Sequence, residues 1–362
     1  MKGAWRQARA TAAAVLLDAP RYGLALRAPR LGRLIGLTWQ SLCNRGETLA
    51  RDPEQEGVRC EWRWTSSLRH CAGRQVGLRL LRAALAEWPV AFVDRPAETT
   101  GSPQVSFIIG HRGVERTPLL LAAIATIAAQ EDTSVECIVV EQSVEPLLST
   151  VLPSWVRHVH AAPPRRDMPY SRSWAFNVGA RVSRGEWLVF HDNDILAPKR
   201  YGAELARLGA SGYEAARLQR FVFYLDRDGS HRVLSTRSMA LGHPPEQVVQ
   251  NCEGHTLASK RGVYWAVGGH DEAFEGWGGE DNEMFDRLKT RRFHDCAYLP
   301  FVHLHHEPQV GKGAKHANTA YLERRMGVPA VIRVAELNGR PSGLLSGPVC
   351  ENGVVSTRDI PA

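Results

Sequence analysis

Three short segments carry side chains that could do chemistry together. The first is Asp192-Asn193-Asp194, directly after the apolar run 186–190 (EWLVF). Two carboxylates one residue apart at a strand end can share a hard divalent cation, which takes oxygen ligands and can bridge to a diphosphate. A bare Asp-x-Asp is common in capping loops, so the buried strand before it is what gives this one weight. The second segment is Gly276-Trp277-Gly278-Gly279-Glu280-Asp281. Its glycines let the backbone approach a ligand closely, and Trp277 offers a flat apolar face suited to the C–H side of a sugar ring. Glu280 and Asp281 open a helix whose dipole favours their ionised forms, and a carboxylate held ionised beside a hydroxyl can act as general base. A glycine turn into an acidic helix cap explains the carboxylates but not the whole string. The third segment is His303-Leu304-His305-His306. In a strand His303 and His305 point to one face, and imidazole is a common ligand for Mn2+ or Zn2+. One of these histidines could complete a site begun by the aspartates, while as surface or core residues they need no metal. The helical His-Glu-x-x-His pair of zinc hydrolases is not in the sequence.

These segments need elements to bring them together. Val105–Ile109, Val135–Val140, Val156–His160 and Glu186–Phe190 read as buried strands rich in β-branched residues. Between them, Thr117 as N-cap and Pro118 at the first helical position predict a helix over Leu119–Gln130, and Ala175–Val182 reads as a short helix. Alternation of this kind predicts βαβ units and a mostly parallel sheet, in which ligands bind outside the carboxyl ends of the strands. In the second half, Ala216–Leu225 and Val233–Ser238 flank Asp226-Arg-Asp-Gly229, a hairpin signal. Val263–Val267 reads as a strand, Asp281–Thr290 as a helix and Tyr298–Leu304 as a final strand. Upstream, Gln75–Glu87 has the apolar spacing of an amphipathic helix, and the turn-rich stretch Glu98–Pro103 marks a boundary. The expected organisation is a basic, partly helical N-terminal region over 1–100, an α/β domain over 101–335 and a tail over 336–362, loosely ordered after Gly339.

Composition narrows the field. With 362 residues, 44% hydrophobic and 23% charged, the chain is neither disordered nor a repeat array. Its 45 Lys/Arg against 38 Asp/Glu give +7, and residues 1–100 hold 16 against 9, so the whole excess lies there. A nucleic-acid enzyme spreads positive charge around its cleft; here the main body is neutral, and no nucleic-acid partner is expected. The basic arm reads as a solvated surface or, more sharply, as a region making peripheral contact with anionic lipid. Seven scattered cysteines without a Cys-x-x-Cys pair fit a reducing compartment. Leu119–Ala129 is too short to cross a bilayer, and Thr11–Leu17 is too brief before Asp18 for a cleaved signal peptide. A cytoplasmic protein, soluble or membrane-associated, is the expectation.

Taken in order, the motifs resemble the GT-A glycosyltransferases of the family 2 and galactosyltransferase type over about residues 103–325. Gly110-His-Arg112 stands where that family has a Pro-x-x-Asn/Asp-Arg-like turn. Cys137-Ile-Val-Val-Glu141-Gln-Ser143 is similar to the strand that ends in Asp-Asp-Gly-Ser, with Glu141 in place of the Asp that reads uracil and ribose. Arg172 through Asn177-Val-Gly179-Ala180 to Gly185–Phe190 resembles the stretch before the family's Asp-x-Asp. The strongest match runs from His255-Thr-Leu-Ala-Ser-Lys260 through Gly268-Gly-His-Asp271-Glu272 to Gly276–Asp281. The resemblance implies a donor site of Gly110, Arg112, Glu141, Arg172, Asn177 and Asp192. It implies acceptor contacts from Trp277, Gly278, Gly279 and Glu280, and Asp281 as catalytic base. Asp194 and Asp192 would hold Mn2+ (or Mg2+) with a downstream histidine, for which His303 and His305 both qualify and His306 stays open. Retaining relatives often carry Asn after the Glu, so Asp281 implies inversion. Asn251 falls near a donor-selecting position, and Lys312 or Lys315 would belong to a loop closing on the diphosphate. The implied activity is metal-dependent transfer from a nucleotide-sugar, a UDP-sugar, to a glycan or lipid-linked glycan, as in polysaccharide biosynthesis. The alternative is a non-catalytic nucleotide-sugar or glycan binding protein on the same scaffold.

Overall fold

In the computed structural model the described residues are 12, 19–44, 47–61, 66–67, 74–98, 101–250, 254–307, 317–344, 349–351 and 354–356. Asn251, Lys312 and Lys315 lie outside them. Helices α1 (Ala19–Arg27) and α2 (Pro29–Leu34), strands β1 (Leu49–Ala50), β2 (Arg59–Cys60) and β3 (Ser66–Ser67), and helix α3 (Arg74–Glu87) come first. Then follow β4 (Val105–His111), α4 (Thr117–Ala128), β5 (Val135–Glu141), β6 (Arg157–His160), α5 (Arg172–Val182), β7 (Trp187–His191), β8 (Ile195–Leu196) and α6 (Tyr201–Ala210). The second half holds β9 (Ala215–Ala216), β10 (Gln219–Tyr224), α7 (Arg227–Thr236), β11 (Gln247–Gln250), β12 (Thr256–Lys260), α8 (Arg261–Ala266), α9 (Glu280–Leu288), β13 (Phe293–His294), β14 (Leu299–His303), α10 (Ala317–Met326) and α11 (Ala330–Asn338). Strands β15 (Val349–Glu351) and β16 (Val354–Ser356) close the chain.

Among the described residues the larger sheet runs β13-β9-β12-β7-β4-β5-β6-β15-β16. Its centre, β7-β4-β5-β6, is parallel throughout, and every residue of β4 is buried, as continuous apolar runs between two helical layers require. This is the α/β sheet flanked by helices that the strand–helix alternation predicts. α4 and α6 pack on one face and α5, α8 and α9 on the other. Gly179 of α5 is needed for the close approach of helix to sheet, since a Cβ there would lie 2.3 Å from Cγ2 of Ile108. A second sheet, β3-β11-β10-β14-β8, is covered by α1 and α3 through Tyr22, Leu80, Leu81 and Ala84.

Three local expectations fail for identifiable reasons. Asp226-Arg-Asp-Gly229 does not turn a hairpin: Asp226 Oδ1 accepts from Gly229 N at 2.8 Å and caps α7 instead. Val263–Val267 is not a strand. It lies mostly in α8, and Tyr264 and Val267 are buried three residues apart, a helical period hidden in a β-branched and aromatic run. Thr117 is the first residue of α4 rather than its cap. In the tail, β15 pairs antiparallel with β6, so part of the stretch read as loosely ordered extends the sheet.

Candidate active site

The register of the parallel strands places three chain reversals at one edge. His111 pairs with Glu141 and Ile109 with His191, so residues 111–112, 141–143 and 192–194 emerge together from the carboxyl ends of β4, β5 and β7. Two antiparallel neighbours add imidazoles. β12 sets Thr256 opposite His191, and Asp192 N donates to His255 O at 3.0 Å. β14 sets His303 opposite Ile195, and Leu304 N donates to Asp194 O at 2.9 Å.

Arg172, the first residue of α5, is the hub. Ser171 caps that helix through Trp174 N, and the backbone beside it is tied to the glycine loop by Gly276 N donating to Tyr170 O at 3.0 Å. From there the guanidinium reaches Asp192 Oδ1 at 2.8 Å, Glu280 Oε1 at 3.3 Å and Asp281 Oδ1. It also lies over the Phe176 ring at 4.6 Å. Burial works to deprotonate this arginine, but Asp192, Asp281 and Glu280 outweigh it and hold it charged. Burial would likewise raise the Asp192 carboxyl, yet Arg172 and then His255, whose Nδ1 is 3.1 Å from Oδ2, keep it far below the usual carboxylate range.

The pair at the start of α9 behaves otherwise. The helix dipole favours ionised carboxylates there, but burial and mutual repulsion prevail. The Glu280 carboxyl is pushed up to about 7 by burial and then by Asp281, and Asp281 is raised by burial against the opposing pull of Arg172. Glu280 Oε2 is buried without a hydrogen-bond partner. Gly276, Gly278 and Gly279 all have φ near +80° to +97°, which is why this loop is glycine-rich. The Trp277 side chain is 47% exposed beside it. Gly254 makes room for Asp281, since a Cβ there would meet Asp281 Oδ2 at 3.0 Å.

A second cluster forms one residue away. His306 Nε2 lies 3.1 Å from Asp194 Oδ2 and His303 Nε2 lies 3.7 Å from Oδ1. Candidate ligand atoms of Asp194, His303 and His306 fall within 4.8 Å of one another. Burial lowers the His303 ring to about 4, leaving it neutral as a ligand must be, and its Nδ1 is a buried atom with no partner. Burial also acts on Asp194, but His303 and then His306 hold its carboxyl low and ionised. One ionised carboxylate and two imidazoles fit a borderline divalent cation. Arg116 flanks the cluster, 3.4 Å from Asp194 Oδ2 and donating to His306 Nδ1 at 3.0 Å.

Several expected residues sit differently. His305 is not in this cluster: β14 ends at His303 and strand alternation stops there, the His305 backbone N–H donates to Ser230 Oγ at 2.6 Å, and its ring lies 3.9 Å from Glu307 while His306 meets Asp194. Asp192 joins Arg172 and His255 rather than the two histidines of Asp194. Asn177 has no amide left for a donor, because Nδ2 bonds His270 O and Glu272 and Oδ1 accepts from His270 N and Tyr264. Glu141 is fully buried, and its two oxygens accept from Ser143, Leu147, Leu148 and His158, which pull the carboxyl down to about 2 against burial. It shapes the 143–148 loop. Gly110 is covered, since a Cβ there would lie 2.2 Å from the Tyr170 hydroxyl, and Arg112 donates to Met168 O at 2.7 Å. The residues that sequence reasoning passed over are His255, Tyr224, whose hydroxyl is 2.6 Å from His255 Nε2, and Arg116. His255 carries one signal, its place at the head of the segment 255–260 that opens the strongest motif match.

Residues 245–307 match the family described as the N-terminal domain of galactosyltransferase. That segment contains His255, Trp277, Glu280, Asp281, His303 and His306. No curated protein matches by sequence. Among solved structures the chain is similar to the catalytic domain of Drosophila beta1,4-galactosyltransferase 7 in complex with xylobiose, at 14% identity and a TM-score of 0.38, over 61% of this chain and 79% of that one. It is also similar to a mutant of that enzyme in complex with manganese, UDP-Gal and xylobiose, at 14% identity and a TM-score of 0.36, over the same shares. The galactosyltransferase segment, set on an α/β sheet with a parallel centre, supports a GT-A-like glycosyltransferase.

Proposed function

We propose that this chain transfers a sugar from a nucleoside-diphosphate donor, a UDP-sugar, to a hydroxyl of a glycan acceptor with inversion at the anomeric carbon. The observation that carries this reading is the Arg172 bridge: one guanidinium links Asp192, at the end of β7, to Glu280 and Asp281 of the glycine loop, so carboxylates far apart in the sequence meet at one point. Asp194, His303 and His306 would hold a divalent cation, Mn2+ before Mg2+ because two imidazoles are present, and that cation supplies charge neutralisation on a diphosphate leaving group. Trp277 gives the acceptor ring an exposed apolar face next to the carboxylates. Asp281 takes the proton from the attacking hydroxyl. Burial raises its carboxyl against the pull of Arg172, which makes the carboxylate a stronger base than an ordinary aspartate. Arg172 positions Asp281 and holds Asp192 ionised.

The test is Asp281→Asn, assayed with Mn2+ across a panel of nucleotide sugars, the donor being found first by thermal stabilisation. Transfer is expected to fall roughly 10²–10⁴-fold with donor affinity and melting temperature retained. Near-normal turnover in the folded variant overturns the assignment of Asp281.

A further inference from the structure

The α1–α2 corner carries a surface that sugar transfer does not use. Residues 1–46 hold eight Lys/Arg and one acidic residue, Asp18, so they account for the entire net charge of the chain. Leu31, Leu34 and Ile35 are 52%, 82% and 60% exposed, three large apolar side chains within five residues. Gly32 fixes which way the helix faces: a Cβ there would lie 2.5 Å from Leu37 O and 3.1 Å from Leu24 O, so its side is pressed against the protein. At 3.6 residues per turn Arg33, Arg30, Leu34 and Leu31 follow one another in that order, each about 100° or more from Gly32, and exposed Ile35 follows directly after the helix. Arg27, at the end of α1, is exposed beside them. Among the described residues Arg27, Arg30 and Arg33 make no side-chain hydrogen bond or ion pair, and no acidic residue lies between Ala19 and Asn44.

We infer that this face docks on the surface of an anionic lipid bilayer, independently of the reading of the active site. An apolar stripe edged by arginines, with no acidic neighbour, matches the two layers of such a surface: the leucines and Ile35 enter the acyl boundary while the guanidiniums meet phosphate headgroups. A protein partner would need carboxylates opposite all three arginines and an apolar pocket beside them. A bilayer supplies both without fitted geometry. No helix of the described residues is long and apolar enough to span a membrane, so the contact is one of lying on the surface.

The experiment is vesicle co-sedimentation of the full chain, using phosphatidylcholine vesicles with and without phosphatidylglycerol at low and high salt. The expected result is binding only to the anionic vesicles, weakened by salt. Arg27→Gln/Arg30→Gln/Arg33→Gln is expected to weaken it on the order of 100-fold, from about 1 kcal/mol per basic residue. Leu31→Ser/Leu34→Ser/Ile35→Ser is expected to weaken it about tenfold or more at unchanged melting temperature. Equal binding to neutral vesicles, or anionic binding that both variants retain, overturns the proposal. So does a wild-type dimer in sedimentation velocity that the Leu31/Leu34/Ile35 variant dissolves, because the face then belongs to a second copy.

Discussion

Replacing Arg172 with Met separates the charge of the hub from its packing, because a methionine keeps an apolar stem against Phe176 and loses the guanidinium. The arginine faces three carboxylates whose side chains are 26% (Asp192), 7% (Glu280) and 21% (Asp281) exposed. Two unit charges 4 Å apart interact by about 4 kcal/mol at an effective dielectric of 20. Desolvation of the arginine offsets much of that sum, and breaking a buried pair by removing one partner costs roughly 3 kcal/mol or more. The sign with pH follows from the carboxylates. Without the cation their folded pKa values rise above the unfolded ones near 4, so the folded variant binds protons more tightly than the unfolded chain. Its stability is then present at low pH and lost as pH rises through the raised values. At about 2 °C per kcal/mol the variant should melt roughly 6 °C below wild type at pH 8, with a gap of about 2 °C at pH 5. Arg172→Lys should fall between, since an ammonium cannot fork to three carboxylates. The measurement is thermal unfolding by circular dichroism across pH 5–8. A gap that does not change with pH, or that widens toward pH 5, refutes the charge argument and leaves Arg172 as packing for Phe176.

Glu141→Gln should be destabilising at neutral pH and harmless in acid. The folded carboxyl sits at about 2 against an ordinary 4.5, roughly 2.5 units or ~3 kcal/mol. That stability is present above pH 4.5 and lost as pH falls through about 2, so denaturant melts of wild type and variant should still differ at pH 3 and converge only below about pH 2. For the cation site, His303→Ala and His306→Ala should each weaken Mn2+ binding by more than about tenfold in calorimetry, while His305→Ala leaves it unchanged. Loss with His305→Ala and retention with His306→Ala would reverse the histidine assignment.

The parallel centre was legible because it is buried on both faces. Strands covered by helices become short, mostly apolar runs rich in β-branched residues, such as 105–109 and 135–140, and such runs bounded by turn residues have few other readings. The second half was less legible because its signals are local and ambiguous. Asp-Arg-Asp-Gly serves a hairpin or a helix cap equally well, and only the Asp226–Gly229 hydrogen bond decides. Asn177 and Glu141 show the reverse limit: both stand at motif positions, yet each is saturated by neighbours that come together only in three dimensions.

The site itself depends on register more than on motif. Two antiparallel pairings, Thr256 with His191 and His303 with Ile195, carry His255 to Asp192 and His303 to Asp194 across long stretches of chain. Strand side chains alternate, so a slip of one residue in either pairing would turn the imidazole to the opposite face and leave its aspartate bare. The same alternation fails just past the end of β14, which is why His305, favoured by the period of a strand, gives way to His306. What joins the His255–Asp192 pair to the glycine-loop carboxylates is then a single side chain. Arg172 sits at a helix start whose position is set by the Ser171 cap and by the backbone bond from Gly276 to Tyr170. Moving that helix start by one residue would break the Arg172 bridge without touching any of the three motifs.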